Sequence, residues 1–444
     1  MGADALDLPA GILADRLAKG AARAPDVARA VSARVAADAT GAFVWHDPDH
    51  LAAEASRLET ARKANRGIGR LHGMAVAVSD TIDTAGIPTA QGSPAARDRM
   101  PRRDAAVVAR LRAEGALLAG KTATTELGSE GAAPVRNPHD PARGAGGAAA
   151  GAAAAVAAGI VPFAVGTQTA GSVIGSAALC GVTGYKPTFG AIPRTGILRP
   201  APSLDTVGVF ARTPHGAALL AETLFGHDPA DPATAPAPAP RLSEATARGP
   251  AVPPVFAILD LPGGAEAEAQ TRAAMDELTD VLGPRAFAAD LPAIFAEAAL
   301  QRDRVHLAEM AHALRSHADR PDGLSPDLRA RVARGAAIGA ADYLAARDWP
   351  GVLAAGLAEI LRRADAILCP AMPAPAPMSG TAEDPVFCGL WSFVGFPAVT
   401  VPLFTSEEGL PMGVQVVAGA GDDARCLACA QWLHDWAADQ GDPR

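Results

Sequence analysis

The sequence predicts an α/β fold, with helices layered on a largely parallel or mixed β-sheet. Three observations predict it. Short apolar runs of strand length alternate with segments of 3.6-residue periodicity through the first half of the chain. The stretch between Arg143 and Lys186, GAGGAAAGAAAAVAAGIVPFAVGTQTAGSVIGSAALCGVTGY, carries no formal charge and consists mostly of Gly, Ala, Ser and Thr. That is the composition of a central core in which backbones approach each other and a ligand closely. Strand character returns near the end, so the second half rejoins the sheet of the first.

Each element follows from local pattern. Ile12–Leu17, Val27–Ala36 and Asp49–Ala64 have helical periodicity. Leu71–Val78, LHGMAVAV, is a strand-length apolar run, followed by Asp80 and the turn residues of DTIDTAGIPT. Asp104–Glu114 is amphipathic and ends before Gly115, a helix stop. Ala116–Gly120 reads as a buried strand, Ala148–Ala158 as an Ala-rich buried helix and Val161–Val165 as a strand. At His227–Pro254 the composition shifts to Pro, Ala and Asp, the mark of a surface loop or linker. Gly263–Leu282, Leu291–Ala318 and Ala340–Arg363 form a helical stretch, read as a variable layer. Ala366–Cys369 and Ala398–Leu403 are strands, and Asp422–Ala438 is the last helix. No internal repeat is visible.

Bulk properties exclude several function classes. With 444 residues, 49% hydrophobic and 20% charged, the chain can bury a large core. Its net charge of −9, from 39 basic and 48 acidic residues, includes no basic block, which argues against nucleic acid or an anionic membrane as partner. The five cysteines are scattered and no secretory signal is apparent, so a reducing, cytoplasmic location is expected. Cys426 and Cys429 lie one helical turn apart and read as packing residues. His306, His312 and His317 are six and then five residues apart, not at the spacing of a helical metal pair, and read as surface or half-buried residues. The apolar stretch around residues 148–165 is Ala- and Gly-rich and interrupted by Pro162, so it reads as core and not as a membrane span.

Within the uncharged segment one nucleophile candidate stands out. Ser172 follows Gly171 in GTQTAGS, where a tight turn can aim successive backbone N–H groups at a developing oxyanion. The same residues suit a serine that merely packs in a Gly-rich turn. Two nucleotide-binding patterns fail. GAGGAAAG is out of register with G-x-G-x-x-G, and GALLAGKT (115–122) has the letters of a phosphate loop with an apolar run inside it and a helix before it.

Colinear blocks of the chain resemble the amidase signature family. They are MAVAVSDTIDTAGIPTAQGSPA (74–95), GALLAGKTATTELG (115–128), RNPHDPARGAGGAAAGAAAAVAAG (136–159) and GTQTAGSVIGSAALCGVTGYKPTFGAIPRTGI (166–197). SLDTVGVFART (203–213), LWSFVGFPAVTVPL (390–403) and GLPMGVQVV (409–417) complete the series, which spans roughly residues 60–420. The resemblance implies a three-layer α/β/α fold with a mixed central β-sheet, formed by 1–444 as a single domain. Within it, N-terminal helices (1–65) precede a signature core (66–226), a variable loop and helical region (227–364) and a C-terminal return to the sheet (365–444).

It also implies amide hydrolysis by a Ser nucleophile, a second Ser with a cis peptide bond, and a buried Lys. The Lys takes the nucleophile's proton through the second Ser, as a weakly nucleophilic hydroxyl requires, and no cofactor or metal takes part. The nucleophile position is Ser172. The Lys position is Ser79, and the cis-Ser position is Ala148, with Ala149 and Ala150 also standing for serines. Gly175 and Ser176 replace the Arg and Pro of S-V-I-R-P. Backbone N–H groups of Thr169, Ala170, Gly171 and Ser172 are the expected oxyanion hole. Of the four lysines, Lys121 and Lys186 fall in the motif blocks, outside the catalytic positions, and Lys121 is the candidate for a relocated base.

The chain is therefore expected to be catalytically silent or strongly impaired, and to bind a small amide-like ligand or a protein partner, as a homo-oligomer or as part of an amidotransferase-like complex. The alternative is an active amidase on a small amide or urea-type substrate, using Ser172 with a non-standard base.

Overall fold

The computed structural model describes residues 5–440 apart from 65, 67, 262–266, 321, 322 and 383. Helices α1 (Ala10–Lys19), α2 (Ala24–Ala36) and α3 (Pro48–Lys63) form on the periodic segments, with β1 (Phe43–Trp45) between the last two. Asp47 caps α3 by accepting from the N–H groups of Asp49 and His50 at 3.0 Å. The first half continues with β2 (Ala75–Ser79), α4 (Ala106–Ala113), β3 (Leu117–Thr122), α5 (Ala150–Ala157), β4 (Phe163–Gln168) and α6 (Ser172–Cys180). GALLAGKT is thus largely β3 itself, a buried strand and not a loop.

Strands β5 (Thr183–Lys186) and β6 (Thr206–Ala211) precede α7 (Pro214–Glu222) and α8 (Leu242–Arg248). The middle of the chain holds β7 (Phe256–Leu259), α9 (Ala269–Leu282), β8 (Ala286–Ala289), α10 (Ala298–Ala313), α11 (Arg315–Ala318), α12 (Pro326–Ala336) and α13 (Ala340–Leu361). The last part contains β9 (Ala366–Pro370), α14 (Val386–Phe393), β10 (Ala398–Thr405), β11 (Pro411–Val417) and α15 (Asp423–Asp439).

All eleven strands form one mixed sheet in the order β1-β3-β2-β4-β6-β5-β10-β11-β9-β7-β8. The β2/β3, β2/β4, β7/β8 and β7/β9 pairs are parallel and the remainder antiparallel. The two halves join where Ala398 and Val399 of β10 pair with Lys186 and Tyr185 of β5, so the predicted return to the first sheet occurs. Helices cover both faces. A Cβ on Gly184 would stand 2.6 Å from Ala177 of α6, whereas the next residue, Tyr185, turns its hydroxyl the other way to Asp423 of α15 (2.5 Å).

The structure departs from the sequence reading at several places. The helical middle adds β7 and β8 to the far edge of the sheet, beside β9. The Pro-rich 227–254 segment is not a free linker. Within it Leu242 and Thr246 of α8 are buried, and Asp231 is buried against Arg194, whose Nε and Nη2 donate at 3.0 and 2.9 Å. Burial pushes the Asp231 carboxyl up, but the Arg194 bonds outweigh it and bring it down to about 2. The helix read over Gly263–Leu282 starts at Ala269, its first predicted residues lying partly outside the described ones. GVQ is the middle of β11 and not a turn. Among the described residues no helix is long and apolar enough to cross a membrane.

Candidate functional site

Parallel pairing of β2 with β4 brings the carboxyl ends of both strands to one edge of the sheet, the usual place for ligands in such folds. Beyond β4 the chain runs through Thr169, Ala170 and Gly171 and enters α6 at Ser172, which is partly exposed. Ser172 therefore opens a helix, where its sequence had suggested only a tight turn.

Three side chains hold this turn. Gln168 Oε1 accepts from the N–H groups of Val173 (2.9 Å) and Ile174 (3.0 Å), capping α6 from the preceding strand. Its Nε2 donates to Ser392 Oγ at 2.9 Å, and that hydroxyl donates to Ala170 O at 2.7 Å. Thr169 Oγ1 donates to Asp205 Oδ1 at 2.5 Å, while Asp205 Oδ2 accepts from Ala201 N at 2.9 Å. Burial raises the Asp205 carboxyl to about 7, against the lowering effect of these bonds. Gly171 is dictated by packing: a Cβ there would stand 2.7 Å from Pro385 Cβ and 2.9 Å from Cys388 Cβ of α14. The backbone N–H groups of residues 169–172 find no intramolecular acceptor among the described residues. They form a run of donors at a helix N-terminus.

The facing junction is differently made. Ser79 ends β2, 1% exposed, and its hydroxyl lies 3.0 Å from Thr81 Oγ1, which lies 3.4 Å from Thr167 Oγ1 of β4. Ser79 pairs in register with Thr122 of β3, whose buried hydroxyl has no partner. On the other side Val78 pairs with Val165, which sets Ser79 beside Gly166. A Cβ on Gly166 would stand 3.3 Å from Ala149 Cβ, so the α5 N-terminus, with buried Ala148 just before it, packs over the same face as Ser79. The structure thus brings the Ser79 and Ala148 positions to one junction next to the strand that leads into Ser172. No cis peptide bond occurs among the described residues.

Lys121 pairs in register with Val78 and so faces away from Ser79. Its ammonium is spent on the turn after β2, donating to Ile82 O and to Thr84 Oγ1 (3.2 Å). Burial lowers it to about 8, opposed by Asp80 and Asp83. Gly175 and Ser176 are buried inside α6, and the Ser176 hydroxyl has no partner.

Sequence reasoning missed the supporting roles of Gln168, Ser392 and Asp205, although each sits in a quoted motif block; their partners are 36 to 224 residues away. It also placed His306 at or near the surface. The residue is 3% exposed, 3.5 Å from Glu130, which also accepts from Arg331 at 2.7 Å.

Comparison with known proteins agrees with this architecture. The family model described as Amidase matches residues 26–427. The amidase-like subunit of the glutamyl-tRNA(Gln) amidotransferase of Koribacter versatilis is 31% identical over 435 residues, 88% of this chain and 89% of that one. A putative amidase AmiD of Mycobacterium bovis is 32% identical over 403 residues, 86% and 83% of the two chains. The solved structure of a vestigial protein complex, described as revealing the origins of an s-triazine catabolic enzyme, superposes with a TM-score of 0.89 at 29% identity, covering 97% of this chain and 98% of that one. The ordered motif blocks, the mixed sheet that seats them and the match over residues 26–427 together make this chain a member of the amidase (amidase signature) family.

Proposed function

We propose that this member of a C–N hydrolase family has little or no hydrolytic activity of its own and serves to bind a small amide-like ligand or a protein partner. The observation that carries the proposal is the contrast at the site. Ser172 and its backbone donors are held by three side-chain supports, whereas the Ser79–Ala148 junction offers hydroxyls and methyls only. A serine hydroxyl needs a base within hydrogen-bond reach, and losing one costs a factor of about 10² to 10⁴. Thr122 and Ser176, two buried hydroxyls without partners, support a polar network that has lost members. The free N–H groups at Thr169, Ala170, Gly171 and Ser172 support a cradle that would polarise an amide carbonyl without any side chain.

A partner role draws support from relatives that are themselves subunits of an amidotransferase, and from a structural neighbour solved as a complex. The unbroken eleven-stranded sheet supports treating 1–444 as one domain. The free, buried cysteines support a reducing, cytoplasmic setting. A second reading, an active amidase on a small amide or urea-type substrate, is favoured by one observation. Asp205, at about 7, reaches the Ser172 turn through Thr169 and could take up a proton in the neutral range. Rates on a panel of primary amides, ureas and esters, with S172A as the blank, test the proposal. Wild-type rates equal to the blank are expected, and turnover that disappears in S172A would overturn it.

A further inference from the structure

A cavity of about 640 Å³ opens between α10, the α12–α13 corner and the Pro202–Ser203 loop, away from the Ser79–Ala148 junction. Its size suits a small organic ligand. One wall is apolar, built by Ala311, Ala336 and Ile338, and the other carries Glu309, His312, Tyr343 and Arg347.

The polar wall presents donors. Glu309 is 9% exposed and already occupied: it accepts from Ser203 N (2.8 Å), Ser203 Oγ (2.5 Å), Tyr343 OH (2.8 Å) and Arg347 Nη1 (3.4 Å). Little of it remains for a cationic ligand. Arg347 uses Nη1 for both Glu309 and Tyr343 OH (2.9 Å), which leaves the donors on Nε and Nη2 without a partner among the described residues. His312 Nδ1 lies 3.1 Å from Arg315 Nη1, and a guanidinium can only donate. The neutral ring therefore carries its proton on Nε2, a second donor on the cavity wall. Two arginines against one carboxylate leave the rim cationic.

We propose that this cavity binds a small organic acid, its apolar body against Ala311, Ala336 and Ile338 and its carboxylate on Arg347 and His312. The pairing of planar guanidinium and carboxylate supplies the selectivity, and the alanine wall sets the width of the apolar body. The inference does not rest on the reading of Ser172 and stands or falls separately.

Calorimetric titration of the whole protein with sodium 4-phenylbutyrate, and with the uncharged 4-phenylbutanamide, tests it. The acid is expected to bind at least about tenfold more tightly than the amide. R347M is expected to remove that preference. A336W, which fills the apolar wall from an exposed position and leaves Arg347 in place, is expected to abolish binding of both; circular dichroism establishes that each variant is folded. No binding of the acid at millimolar concentration, equal binding of acid and amide, or acid binding unaffected by A336W would each overturn the proposal.

Discussion

The β4–α6 turn and the β2–α5 junction share one end of the sheet and are built in opposite ways. At the turn, Gln168, Ser392 and Asp205 converge from three parts of the chain to fix four residues whose backbone N–H groups stay free. At the junction, Ser79 bonds only to neighbouring threonines, Ala148 brings a methyl, and the Thr122 hydroxyl has no partner. The difference teaches that two parts of amide chemistry are separable. Charge stabilisation by backbone donors depends on loop geometry and survives changes of side chain. Proton transfer depends on particular side chains and is lost with them.

The sharpest way to break the comparison is to refurnish the poor side. S79K/A148S is expected to raise Ser172-dependent hydrolysis of a primary amide by about 10² to 10⁴ over wild type, read as initial rates with S172A as blank. The next effect concerns the rich side and pH. Asp205 is raised by burial from its ordinary 3.8 to about 7, so between these values the folded state holds a proton that the unfolded state has released. Stability is therefore expected to fall as pH rises from about 4 to about 7 and then to level off. D205N should flatten that slope in denaturant midpoints taken across the window. G171A places a methyl 2.7 Å from Pro385 and is expected to cost about 1–3 kcal/mol in chemical denaturation. Smallest is S392A, about 1–2 kcal/mol, because Ala170 O and Gln168 Nε2 lose their shared partner. If S392A instead destabilises more than G171A, the turn is held by its hydrogen bonds more than by packing on α14.

Much of the fold was legible in the sequence where a segment carries its own period. The amphipathic helices α2 and α4 and the apolar strands β2, β3 and β9 fall where expected. What escaped is short and buried on both faces. TGYK and FAIL lack alternation because helices cover both sides of the sheet, so β5 and β7 look like nothing in particular until their neighbours are in place. The chemistry-bearing positions were legible through motif order, since Ser79, Ala148 and Ser172 each stand in a recognisable block. Their supports were not, because the Gln168–Ser392 and Thr169–Asp205 bonds join residues that only the sheet topology brings together.

The most direct test of the central claim is intact-mass spectrometry after exposure to a fluorophosphonate probe, which reports whether Ser172 is activated irrespective of substrate. The account predicts that wild type stays unmodified, like S172A, while S79K/A148S takes up one probe at Ser172. Labelling of wild type that is abolished in S172A would contradict it, and would mean that a base other than the absent lysine activates this serine.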